Sequence, residues 1–122
     1  MGDFKRLIAW QKAHTYMLAV YAAFKDRRVH LVAPGLRSQV LRAVSAIPDN
    51  LAEGCGKRSR RELARFADIA YASAKEVENQ LIKSDGLKIL PRALYEDLMR
   101  QGDEVCRLCF ALSRLPPEQP PD

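Results

Sequence analysis

Residues 36–65 read LRSQVLRAVSAIPDNLAEGCGKRSRRELAR and carry a proline in the middle of a helical apolar period. Leu36, Val40, Ala43, Val44, Ile47 and Leu51 recur at three- and four-residue spacing, which places them on one helix face. An interior proline removes a backbone hydrogen bond and clashes with the carbonyl four residues back, at a cost of about 3 kcal/mol. The stripe nonetheless runs on across Pro48, from Ile47 to Leu51. The segment over 35–53 is therefore predicted as one helix kinked at Pro48, not as two helices. Gly54-Cys55-Gly56 is expected to end it. Asn50 and Glu53 are placed to bond groups freed by the kink, or to hold the loop at Gly54.

Three more segments show the same period. The first covers about 7–25, with Trp10, Ala13, Met17, Val20, Tyr21 and Phe24 on one face. The third opens at Ser59, with Glu62 three residues on, a spacing that lets each side chain satisfy a free N–H of the first turn. Its inner face is Leu63, Phe66, Ala67, Ala70, Ala74, Val77 and Leu81, and it is predicted to end near Gly86. The fourth starts near Pro91, a residue suited to a first turn, and carries Leu94, Leu98, Val105, Leu108, Leu112 and Leu115. Gly102 inside it is expected to weaken the helix by about 1 kcal/mol. No strand pattern or internal repeat is present. Short connections between long amphipathic helices favour antiparallel neighbours, so the expected fold is all-α, an up-and-down antiparallel four-helix bundle over 1–115. The proline-rich tail 116–122 is expected to be extended or disordered.

At 122 residues the chain is long enough to close a single core. With 48% apolar and 29% charged residues it has the balance of a folded domain rather than a disordered one. No apolar run approaches the roughly 20 residues of a membrane span, and the start resembles no secretory signal. A cytoplasmic protein with reduced cysteines and no membrane partner is expected.

Catalytic machinery is not legible. Cys106 and Cys109 match Cys-x-x-Cys, but a redox reading needs a βαβ context, and a zinc site needs two more ligands. The run from Gly54 to Ser59 lacks the first glycine of a phosphate loop, since Leu51 stands there, and it follows a helix instead of a strand. A non-enzymatic protein without cofactor or metal is expected. The strongest signal is charge. Lys57, Arg58, Arg60, Arg61 and Arg65 face Glu62 alone, a net +4 within nine residues of a chain whose total is +5. Such a cluster at a helix start can meet successive phosphates, and its rival reading is a solvated helix start that pairs with neighbouring acids. No aromatic platform is evident beside it, so nucleic-acid recognition there is expected to be electrostatic, with little base reading.

On the fourth segment Tyr95, Met99, Cys106 and Phe110 form a second stripe, about 100–160° around from the first. A second apolar face suggests contact with another subunit; the alternative is a wide core.

A family pattern also runs through these positions. Phe4 with Ala9-Trp10-Gln11-Lys12-Ala13 is followed in order by Gly35-Leu36-x-x-Gln39, Arg42-Ala43, Ser45-x-Ile47-Pro48-x-Asn50-x-Ala52-Glu53-Gly54, and Arg65-Phe66-x-x-Ile69-Ala70. The chain resembles the bacterial four-helix bundle family encoded in intervening sequences of 23S ribosomal RNA genes, over about Phe4 to Leu115. The resemblance implies an up-and-down bundle that assembles as a ring, typically a homopentamer. It extends to accessory proteins of diversity-generating retroelements, basic pentamers that associate with a reverse transcriptase and nucleic acid. It therefore implies RNA or a ribonucleoprotein as partner. Three positions depart from the family pattern: Cys55 stands where an aromatic residue is expected, Leu63 where phenylalanine is common, and Pro34 precedes the glycine of the second segment.

Overall fold

One uninterrupted helix spans Leu36–Cys55 with Pro48 in its interior, in a computed structural model that describes residues 2–26 and 28–117. In chain order the helices are α1 (Ile8–Ala23), α2 (Val29–Val32), α3 (Leu36–Cys55), α4 (Arg60–Gly86) and α5 (Arg92–Ser113), preceded by a 3-10 turn at Phe4–Arg6. No strand occurs among the described residues. The short α2 was not foreseen; four residues are too few to show a period. Of the tail, Pro116 and Pro117 are exposed and without regular structure, and 118–122 lie outside the described residues.

The four long helices form an antiparallel ring in which each packs closely against two neighbours. Contacts fix the directions. Arg37, at the start of α3, donates from Nε to the carbonyl of Phe24, just past α1, at 2.7 Å. Tyr21 and Ser45 share a hydrogen bond of 2.9 Å farther along the same pair. Arg92 at the start of α5 meets Asp85 near the end of α4 at 2.7 Å. Lys12 on α1 pairs with Glu104 on α5 at 3.4 Å. This is the up-and-down four-helix bundle that the short connections imply.

Tyr16, Phe24, Ile47, Leu51, Leu81 and Leu98 are fully buried along the axis. The expected stripes of α3 and α4 are the buried ones. On the first segment the expected Ala13, Val20 and Phe24 are buried, joined by Ala9 and Tyr16, while Trp10 and Met17 are half-buried and Tyr21 is exposed. α1 also carries Ile8 and Leu18 toward solvent, so its apolar residues surround the axis and do not mark one side.

Two expectations about the end of α3 are corrected. Gly54 is no loop residue: it is buried inside the helix, where α4 comes so close that a β-carbon would sit 2.9 Å from Phe66 Cβ. The absent side chain is what permits that approach. Asn50 does not take the carbonyl orphaned by Pro48, which is that of Val44, four residues back. Its Nδ2 donates at 2.7 Å to the carbonyl of Ala46. Glu53 is exposed on the last turn, and its carbonyl accepts the N–H of Gly56 at 3.1 Å.

Candidate nucleic-acid interface

The basic cluster is assembled by the tight turn between α3 and α4. Gly56 closes α3 with its N–H on the carbonyls of Ala52 and Glu53, and the N–H of Lys57 bonds the carbonyl of Gly54 at 3.2 Å. Ser59 is extended and caps α4: its Oγ accepts the N–H of Glu62 at 3.2 Å. This is the Ser59 half of the expected reciprocal cap. The Glu62 carboxylate engages Arg65, from both Nε and a terminal nitrogen, at 3.2 Å. Lys57 and Arg58 on the turn thus share one end of the bundle with Arg60, Arg61 and Arg65 on the first two turns of α4, and all five are exposed.

The cluster has a buried aromatic support. Arg65 lies over the Phe66 ring at 4.5 Å and Lys57 at 5.5 Å from its centroid, while the ring is only 7% exposed. Two of the five cations are therefore held by cation–π contact, which orients them without neutralising them. Arg58 and Arg61 make no ion pair among the described residues.

The structure adds Arg114, which the sequence reading missed. α5 ends where α4 begins, so Arg114 joins Arg61 and Arg65 around an open groove of about 500 Å³ that also includes Glu62, Asp68 and Ser113. Nothing local could reveal it; only the antiparallel packing brings residue 114 to residue 61. Lys25 and Arg28 belong to the opposite end of the bundle, where Arg28 pairs with Asp26 at 2.6 Å, and Arg27 lies outside the described residues.

The second stripe on α5 is largely intramolecular. Cys106 is 3% exposed and belongs to the monomer's core, which removes it from the expected subunit contact. Tyr95 and Met99 are half-buried against that core. The physical reason is that α5 has two neighbours, α1 and α4, and needs a wide apolar face to meet both. Phe110 alone of the four is exposed, and its ring packs against Tyr71 of α4 at 5.6 Å.

Burial raises the pKa of all three thiols, that of Cys109 to about 12. Among the described residues no three His, Cys, Asp or Glu side chains group as a metal set. No described helix is long and apolar enough to cross a membrane.

Residues 5–111 match the family model described as 23S rRNA-intervening sequence protein. The fold is also similar to a crystal structure from Bacteroides thetaiotaomicron, a protein of unknown function from the S23 ribosomal protein family. That likeness has a TM-score of 0.80 and 19% identity, over 88% of this chain and all of that one. No curated protein matches the chain.

Proposed function

The chain belongs to the 23S rRNA-intervening sequence protein family, and from that premise we propose that it is a non-enzymatic, cytoplasmic, oligomeric bundle that binds RNA or a ribonucleoprotein through its basic end. The observation that carries this reading is the exposure of Lys57, Arg58, Arg60, Arg61 and Arg65 on one end of the bundle, with Arg114 beside them. Positive charge fixed on a helix start, with the helix's own positive dipole behind it, attracts phosphate. Binding of this kind weakens steeply with salt. Ring assembly, as a homopentamer, is proposed on the family resemblance alone, because Cys106 now lies within the monomer. Light scattering measures it.

The test is a filter-binding titration of RNA against salt, comparing the natural chain with Arg58→Glu/Arg60→Glu/Arg61→Glu. The triple variant is expected to lose RNA while keeping its helical circular dichroism. Retained affinity at moderate salt would remove this surface from the proposal. A second reading, a protein-interaction scaffold without nucleic acid, is favoured by the Glu62–Arg65 pair and the cations resting on Phe66, which are intramolecular uses of the same charges. It predicts negligible RNA retention by the natural chain even at low salt.

A further inference from the structure

An aromatic pair lies on the α4–α5 seam next to the basic end. Tyr71 and Phe110 have ring centroids 5.6 Å apart, inclined at 57°. Phe110 is 43% exposed. A cation sits at each side: the guanidinium of Arg114 lies 4.8 Å from the Phe110 centroid, and Lys75 lies 5.6 Å from that of Tyr71. Tyr71 and Phe110 line an open groove of about 330 Å³ together with Lys75, Cys106, Asp103 and Arg107. The acids there are already engaged, Asp103 by Arg107 and Glu78 by Lys75, both at 3.4 Å.

From this arrangement we infer that the Tyr71–Phe110 groove takes an unpaired nucleobase of a single-stranded nucleic acid whose phosphates run along Arg114, Arg65 and Arg61. The inference deepens the nucleic-acid reading above and rests on it. Three features select this occupant. The exposed surface is an aromatic ring beside a second, tilted one, each with a cation lying over it, a combination of ring and charge that suits a planar base attached to a phosphate chain. Arg114 lies over the Phe110 ring and also lines the arginine groove, so one side chain connects the aromatic site with the basic surface. Tyr71 follows Arg61 by ten residues on the same helix, a rise of about 15 Å, a distance a few nucleotides of single strand can span. In a duplex the base faces are stacked within the helix and cannot reach a side-chain ring. It differs from the sequence-based expectation of electrostatic recognition with little base reading, and the test below separates the two.

The test uses the full chain with a short fluorescein-labelled oligouridylate and, separately, a blunt RNA duplex of equal length, read by anisotropy across salt. Phe110→Ala is expected to weaken the single strand by at least about fivefold, with the salt slope and the duplex affinity unchanged. Arg58→Glu/Arg61→Glu is expected to weaken both ligands and flatten the slope. A 5-bromouridine at the centre of the single strand is expected to photocrosslink to Tyr71 or Phe110. Single-strand affinity untouched by Phe110→Ala, with the arginine variant still defective, overturns the base site and leaves the basic surface standing. Loss of neither ligand in the arginine variant removes the underlying reading instead. A change of oligomeric state in Phe110→Ala, with no crosslink, overturns the proposal in favour of a second copy of this chain on the groove.

Discussion

The hydroxyl of Tyr16 fills the space a side chain at Gly102 would need. A β-carbon on Gly102 would lie 2.6 Å from the phenol oxygen and 3.1 Å from Cζ. The glycine that looked like a weak point in the last helix is a notch that lets α1 seat its largest buried side chain against α5. The hydroxyl itself has no hydrogen-bond partner among the described residues.

That relationship predicts non-additive stabilities. Gly102→Ala improves helix propensity by about 1 kcal/mol but overpacks a rigid ring at about 1–3 kcal/mol, so a net loss is expected. Tyr16→Phe removes a buried polar atom that gains nothing in the fold, and is expected to be neutral or stabilising. In the double variant the oxygen at 2.6 Å is gone, and the penalty of the alanine is expected to shrink by more than about 0.5 kcal/mol. Urea unfolding of all four proteins measures the coupling. Additive effects would mean that the two residues do not meet.

Gly54 predicts a loss without such relief. Its β-carbon would stand 2.9 Å from Phe66 Cβ, 3.2 Å from Leu63 Cδ1 and 3.4 Å from the Leu63 backbone. Those atoms are anchored to α4 itself, so α3 and α4 must part. Gly54→Ala is expected to cost about 1–2 kcal/mol after its propensity gain. Gly56→Ala serves as the control: its φ of −75° suits any residue, and its closest neighbour is the Glu53 carbonyl at 3.3 Å. A thermal melt that ranks Gly56→Ala below Gly54→Ala would contradict the packing described.

How legible each element was depended on what surrounded its stripe. α3 and α4 set apolar residues against charged ones, so Val40, Val44 and Leu51, or Ala67, Ala74 and Leu81, mark the core without ambiguity. α1 is apolar on several sides, and small alanines with Tyr16 and Val20, rather than Trp10 and Met17, turn inward. On α5 the two stripes are the flanks of one broad face whose centre is Leu98, Gly102, Val105 and Cys109. The basic cluster was legible as a local charge run. Arg114 and the Tyr71–Phe110 pair were not, because each is joined to its partner by tertiary packing across about 40 or more residues of chain.

Ser59 links the fold to the basic end, and its removal is expected to loosen both. Its Oγ satisfies one free N–H of α4, that of Glu62, and an N-cap of this kind contributes about 1 kcal/mol. Ser59→Ala is expected to lower stability by about that amount and to speed hydrogen exchange over residues 60–63, while Ser59→Asp restores the cap. Equal exchange in Ser59→Ala and the natural chain would show that the cap does not hold the first turn.

Cys109 sets the behaviour in alkali. It is fully buried, and burial, with Cys106 adding to it, pushes its thiol up to about 12. A thiol in the unfolded chain ionises near pH 8.5 or so, about the ordinary cysteine value. Below that value both states keep the proton and stability is undiminished. Between it and about 12 the unfolded chain has released a proton that the folded chain retains. Stability therefore falls as pH rises, by about 1.4 kcal/mol per pH unit for each such thiol. Cys106 is shifted in the same direction by burial, and so is Tyr16, whose contribution begins near its ordinary value of about 10. Cys109→Ala carries a pH-independent cavity cost but is expected to shed one proton's share of the slope. Urea unfolding across this range, with reductant present, measures it. An unchanged slope in Cys109→Ala would mean that the thiol ionises in the folded protein and that the α5 core is open to solvent.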